Sequence, residues 1–216
     1  MRDTFWNKHY EGFTLHEPSN FAQYCLDKHL RPEDTVIELG CGNGRDGLAL
    51  SHSVSQYVGL DACPNAVSHF KTNAEELNPE VTSKIDVRQG DFTSQDFNAF
   101  TADVERLVLY SRFSFHSINY EDAERLIENI SQITDVPWTL MMEVRTVFDT
   151  LYGEGTNVGL HEFKIDHYRR FIDPKVFLED MSKRFDVRYF EVDSGFAPFE
   201  EQDPICLRAV INSHQV

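Results

Sequence analysis

The chain has 216 residues, 41% of them apolar and 12% aromatic, and carries a formal net charge of −16. This suits one globular domain with a full core and argues against a disordered chain. No apolar run approaches the ~20 residues that span a bilayer, and so acidic a chain repels a nucleic-acid backbone. No membrane span and no nucleic-acid partner are therefore expected. The opening "MRDTFWNKHYEGF" has no signal-type apolar stretch. Cys25, Cys41, Cys63 and Cys206 show neither paired nor metal-ligand spacing. They read as reduced thiols of a cytoplasmic protein without a metal site.

Residues 1–15 are aromatic and polar without a clear period. "SNFAQYCLDKHL" starts with an N-cap residue, Ser19, and places Phe21, Tyr24 and Cys25 at helical spacing. "TVIEL" reads as a short buried strand, "RDGLALSHS" as a helix and "SQYVGLD" as a second strand ending in an acid. A helix is entered through Pro64. "KIDVRQGD" is a third strand, and "ERLVLYSRF" a fourth, apolar throughout as in a buried parallel sheet. "NYEDAERLIENISQI" is an amphipathic helix, "PWTLMMEVR" a fifth strand, and "DPKVFLEDMSKR" a helix capped by Asp173. "FDVRYFEVD" and "PICLRAVIN" complete the set, with the last strand placed at an antiparallel edge. Alternating strands and helices predict a mainly parallel seven-stranded α/β sheet with helices on both faces. Residues 146–172 form one long stretch without a period; such a loop is usually functional or disordered.

Between the first strand and its helix stand Gly40, Gly42 and Gly44, in "VIELGCGNGRDG". In such sheets ligands sit over the first turn, at the carboxyl ends of the strands. Gly42, Gly44 and Gly47 match the dinucleotide fingerprint, and Asp61 follows about 20 residues on, where that fingerprint places a ribose-binding acid. Three features oppose a nicotinamide enzyme. Glu38 directly before the glycines would repel a pyrophosphate. The Tyr24/Lys28 pair precedes the loop instead of following the fourth strand. A further acid, Asp91, ends the third strand. Acids at three strand ends suit a ligand with ribose hydroxyls and amines but no phosphates. Gly44 and Gly47 could instead serve helix–strand packing, and Asp61 a helix cap.

With these segments in place, residues 35–145 resemble the Rossmann-like core of class I S-adenosylmethionine-dependent methyltransferases. "VIELGCGNG", "VGLDAC", "RQGDF" and "RLVLYSRF" match that family's motifs in order and spacing. More loosely, "LGCGNGRDGLALS" is similar to bacterial methyltransferases of small molecules and surface glycans. The resemblance implies S-adenosylmethionine as cofactor. Gly40, Gly42 and Gly44 would let the backbone approach its methionine and ribose parts. Glu38 would anchor the ammonium group and Asp61 the ribose hydroxyls, with Ala62 against the adenine. Asp91 would take the adenine amine, with Phe92 flanking the ring. Trp6 and Tyr10, four apart, would belong to an N-terminal lid.

For the reaction, Tyr110, Arg112 and His116 follow the fourth strand. His116 is the expected base for a hydroxyl acceptor and Arg112 the expected partner of an anionic group. His161, His167, Tyr168, Arg169 and Arg170 form the most basic cluster of an acidic chain and suggest capture of an anion. The resulting organisation is a single domain over 1–216: a lid and helix over 1–30, a cofactor core over 35–145, a substrate loop over 146–172 and a helix with a strand pair over 173–216. The expected activity is O-methylation of a small anionic or sugar-like acceptor. A nicotinamide oxidoreductase and a non-catalytic cofactor-binding module stand as alternatives. The oligomeric state is left open.

Overall fold

The computed structural model describes residues 2–12 and 15–214. Met1, Phe13 and Thr14, within the expected lid segment, lie outside them, as do Gln215 and Val216. The order of elements is α1 (Arg2–His9), α2 (Asn20–Lys28), β1 (Thr35–Leu39), α3 (Gly47–Ser51), β2 (Gln56–Asp61), α4 (Pro64–Glu75), α5 (Pro79–Thr82) and β3 (Ile85–Gln89). Then come β4 (Leu107–Arg112), α6 (Tyr120–Ser131), β5 (Trp138–Arg145), β6 (Thr156–Gly159), β7 (Glu162–Lys164), β8 (Tyr168–Arg170), α7 (Pro174–Arg184), β9 (Asp186–Asp193) and β10 (Cys206–Asn212).

Seven strands form one sheet in the order β3-β2-β1-β4-β5-β10-β9. β3, β2, β1, β4 and β5 run parallel, and β10 is antiparallel to both its neighbours. The antiparallel strand is thus the last one, as expected, but it sits one place in from the margin, with β9 outside it. Burial explains the order. β10 is buried along almost its whole length and needs cover on both edges, whereas β9 alternates half-buried and exposed residues.

Alternation along the buried strands builds two cores. Ile37 and Leu39 of β1 and Leu107 and Leu109 of β4 face Leu126, Ile127 and Ile130 of α6 and Phe177 and Met181 of α7. Val36 of β1 and Val108 and Tyr110 of β4 face Phe21 and Cys25 of α2 and Phe70 of α4. The helix ends follow local chemistry. Ser19 caps α2 by accepting from the Ala22 N–H, Asn119 caps α6, and Asp173 caps α7 with Pro174 in its first turn.

The stretch expected to be irregular is largely ordered. β6, β7 and β8 form a small antiparallel sheet over 156–170. Its strands are three or four residues long and carry no clear alternation, so no period marks them in the sequence. The N-terminal segment likewise holds a helix, α1.

One polar row crosses the α2 face. Glu143 of β5 is paired in register with Arg112 of β4 on one side and Arg208 of β10 on the other. Its Oε1 accepts from Arg112 Nε at 3.1 Å and its Oε2 from Arg208 Nε at 2.7 Å. All three side chains are largely or fully buried. Removing one partner of such a set leaves buried charge uncompensated, at a cost of roughly 3–5 kcal/mol. Glu143→Ala is expected to lower unfolding stability by about 3 kcal/mol in urea titrations; a loss under about 1 kcal/mol, the scale of an exposed pair, would show that the row carries little stability.

Candidate active site

A cavity of about 660 Å³ opens at the carboxyl ends of β1, β2 and β4. Glu38, Gly40 and Gly42 line it from the first turn, Asp61 and Ala62 from the second, Asp91 and Phe92 from the third, and Arg112 from the fourth. Trp6, His9 and Tyr10 line it from the N-terminal segment. The sequence motifs therefore converge on one space of ligand size.

The first turn is shaped by close approach. Gly42 has φ +55°, and a Cβ placed there would stand 2.5 Å from the Tyr10 hydroxyl oxygen, so both backbone and space demand glycine. Gly44 is different. It lies outside the cavity wall and faces the Phe70 ring. The expectation that it approaches a ligand is corrected to helix–strand packing.

The acids at the strand ends are held in specific ways. Glu38 accepts a 2.5 Å hydrogen bond from the Tyr57 hydroxyl. Burial, reinforced by the Asp46 charge, pushes the Glu38 carboxyl well above the ordinary range, and the Tyr57 hydrogen bond opposes this. Asp61 accepts from the backbone N–H groups of Gly42 and Cys63, each at 2.8 Å. Burial raises its carboxyl, and these two donors oppose the rise. Asp91 accepts from both the N–H and the hydroxyl of Thr93 through Oδ1, at 2.9 and 2.7 Å.

Of the three residues expected at the reacting end, the structure brings one to the wall. Arg112 lines the cavity, with its guanidinium 4.5 Å from the centre of the Phe113 ring. Its Nε is bound to Glu143, and among the described residues its terminal nitrogens take no protein acceptor. Burial works against the Arg112 charge, but Glu143 outweighs it and the group titrates above its ordinary value. Tyr110 lies outside the wall. It is fully buried, stacked on Phe21, and donates to Asp46 Oδ2 at 2.7 Å. His116 is buried behind the wall in a short 3₁₀ turn, with its ring 5.3 Å from that of Phe113. Burial, with Arg145 and Arg169 nearby, pushes its imidazole well below the ordinary range. His116 therefore does not line the cavity, where a base for a hydroxyl acceptor was expected.

The basic cluster also sits differently. None of His161, His167, Tyr168, Arg169 or Arg170 lines the cavity. His161, at φ +57° in the turn after β6, meets the Tyr152 hydroxyl through Nδ1 at 2.8 Å. Arg169 pairs with Asp166 at 2.5 Å. Arg170 is buried and donates from Nε to the Ile118 carbonyl at 3.1 Å, with its guanidinium over the Phe115 ring. Tyr168 is half-buried on β8. His167 packs against α1, its ring centre 4.4 Å from Phe5 and 4.9 Å from Trp6. Within the chain, His167 and Arg169 meet Asp166, and Arg170 meets main-chain carbonyls of the turn after β4.

Several lining or supporting residues had been missed. Asp46 is buried and accepts from the Ser19 N–H at 2.8 Å, the Ser19 hydroxyl at 2.7 Å and Tyr110. Arg45, on the cavity wall, donates to the Glu17 carbonyl. Glu143 and Arg208 are the signals sequence reading could have used: Glu143 is the one acid in the apolar strand "WTLMMEVR", and Arg208 the one charge in "CLRAVIN". Among the described residues there is no group of three or more His, Cys, Asp or Glu placed to hold a metal ion.

With fold and cavity described, comparison with known proteins gives the class. Residues 36–135 match the family described as a methyltransferase domain. A S-adenosylmethionine-dependent methyltransferase from Anabaena variabilis shares the fold at a TM-score of 0.72, with 18% identity over 98% of this chain and 93% of that one. A ribosomal protein L11 methyltransferase from Thermosipho africanus is 32% identical over 98 residues, 45% of this chain and 36% of that protein. A ribosomal RNA small subunit methyltransferase A from Corynebacterium efficiens is 24% identical over 158 residues, 67% of this chain and 54% of that protein. The chain thus spans about a third to a half of the length of these curated relatives. The fold is that of class I S-adenosylmethionine-dependent methyltransferases, and residues 36–135 match a methyltransferase domain. S-Adenosylmethionine is the cofactor of that class, and the donor set fits it: an acid stands on the cavity wall at each of three strand ends, Glu38, Asp61 and Asp91.

Two outcomes follow from this geometry. Asp61→Ala should weaken S-adenosylhomocysteine binding at least about tenfold in calorimetry, given roughly 1.5–3 kcal/mol for a charge-assisted hydrogen bond; unchanged affinity in a folded variant would remove Asp61 from ligand binding. His167 has its imidazole lowered to about 4, by burial first and by Arg169 second. The unfolded chain therefore binds a proton near its ordinary value of 6.5 that the folded chain takes up only near 4. Stability should fall as pH drops through that window, and His167→Phe should flatten that part of the profile in urea titrations from pH 7 to pH 4.

Proposed function

We propose that the protein methylates an oxygen of a small anionic acceptor, an acidic sugar-like or carboxylate-bearing molecule, in the cytoplasm. S-Adenosylmethionine, when bound, supplies a methyl group already activated on a sulfonium. Glu38 would hold its ammonium end, Asp61 its ribose hydroxyls and Asp91 its adenine amine, with Ala62 and Phe92 against the ring. Trp6 and Tyr10 close the space from above and exclude water. The chain's own contribution is then geometry and a dry site.

The observation that carries the acceptor reading is Arg112. It stands at the end of β4 with its Nε committed to Glu143, its plane against Phe113 and its terminal nitrogens without a protein acceptor among the described residues. That arrangement offers a fixed fork for a carboxylate or phosphate group. Arg45 adds a second cation to the same wall. An acceptor oxygen that is already anionic needs no general base, which agrees with His116 lying behind the wall.

The curated relatives act, by their names, on a ribosomal protein and a ribosomal RNA, but each matches over little more than half of its own length or less. A roofed cavity in a chain of net charge −16 suits a small acceptor better than a polyanion.

The test is transfer of tritiated methyl to panels of small carboxylates and acidic sugars, with ribosomal protein and RNA as parallel acceptors. Label is expected in the small-molecule fraction. Arg112→Gln should raise the acceptor KM by about tenfold or more, the cost of a charge-assisted contact, while leaving S-adenosylhomocysteine affinity within about twofold, below the ~1.4 kcal/mol that a tenfold change requires. Label confined to protein or RNA would overturn the acceptor assignment.

A further inference from the structure

At the opposite end of the sheet, where β1, β4 and β5 begin, the chain forms a second cavity of about 270 Å³. It lies under the carboxyl end of α2, and Lys28, Arg31, Arg106 and Arg188 stand on its wall. Nothing in the methyl-transfer reading uses it.

Charge sets this cavity apart. Four of the chain's 20 Lys and Arg residues line it and, among the described residues, no Asp or Glu does, although acids outnumber bases in the chain as a whole. Two of the four cations have acids behind them. Arg106 is bidentate to the buried Asp34, through Nε at 2.7 Å and Nη2 at 2.5 Å. Arg188 meets Asp186 at 2.6 Å. Lys28 and Arg31 make no ion pair among the described residues. The wall therefore carries two positive charges that its neighbouring acids leave uncompensated. Like charges gathered in one concavity repel one another unless an anion joins them.

The floor adds directed donors. Thr139 donates its hydroxyl to Asn212 Oδ1 at 3.0 Å, which leaves the Asn212 amide nitrogen as the donor at the wall. Arg106 also gives Nη2 to the His29 carbonyl at 2.8 Å. That bond answers a carbonyl at the end of α2 that would otherwise oppose an anion.

We infer that this cavity binds a phosphate-type oxyanion carried by a small molecule, at a site separate from the cofactor cavity. A water molecule claims about 30 Å³ of liquid, so the space takes a phosphate ester or a pyrophosphate rather than a single bare ion. One helix touches both sites. Ser19 at the amino end of α2 holds Asp46 beside the cofactor cavity, and Lys28 at its carboxyl end stands at the second cavity.

Calorimetry with inorganic pyrophosphate, at constant ionic strength, tests this directly. The wild-type chain should bind it saturably. Lys28→Glu/Arg31→Glu changes two exposed side chains outside the methyl-transfer site and should weaken binding by at least about tenfold, with S-adenosylhomocysteine affinity unchanged as the check on folding. Lys28→Gln/Arg31→Gln should lose less, in the same direction. Absence of saturable binding by the wild type, binding by both variants as tight as that of the wild type, or displacement of pyrophosphate by S-adenosylhomocysteine would each overturn the site.

Discussion

Two guanidinium groups sharing one buried carboxylate set the terms for much of this molecule. Glu143 lies on β5 between Arg112 and Arg208, each in register with it on a neighbouring strand. A carboxylate with no exposed surface is costly on its own, and so is each arginine. Together they are mutually satisfied, and the satisfaction depends on strand register. A slip of one residue in β4 or β10 would turn an arginine to the opposite face and leave the acid alone. The row therefore joins the antiparallel part of the sheet to the parallel part. It also fixes the direction in which Arg112 leaves β4.

The same face holds a second polar centre at Asp46. Ser19 caps α2 and also holds Asp46 through both its N–H and its hydroxyl. Tyr110 reaches the same carboxylate from β4. The helix that covers the sheet and the loop that borders the cavity are thus tied at one residue. Rings fill the space between the two centres: Phe21 stacks on Tyr110, and the Arg208 guanidinium lies 5.4 Å from the Phe21 ring centre and 5.3 Å from that of Tyr24.

Much of this could be read in advance because it is local. Continuous apolar runs gave the central strands, Ser19, Asn119 and Asp173 gave helix starts, and acids at three strand ends gave the cavity. What escaped depended on pairing between distant segments. Nothing beside His116 in the sequence shows that the charges of Arg145 and Arg169 will act on it, and nothing beside Arg170 shows that its partner is the Ile118 carbonyl. Basic composition suggested a ligand, but the acids and carbonyls that satisfy those bases came from other elements. Gly44 misled for the opposite reason. A glycine needed for ligand approach and one needed for packing against Phe70 look alike in a sequence. The inward position of β10 depended on relative burial, which the pattern of each strand shows only when the two are compared.

The roof over the cavity has a kinetic consequence. α1 is eight residues long, too short to keep its shape in water by itself. It is held by Asn7, whose carbonyl accepts from the Asn65 amide and whose side chain accepts from the Cys63 thiol, and by Phe5 and Trp6 against His167. Undocking and unwinding are therefore one event, and the helix cannot swing aside as a rigid flap. Loss and recovery of order in so short a segment belongs to the microsecond-to-millisecond range, that of the motions that often set turnover in enzymes with covered sites. Ring contacts are tolerant of small shifts, so the roof can re-form over ligands of different outline. Both the speed of such a change and its tolerance would trace to the same eight residues, which lean on α4 and on His167.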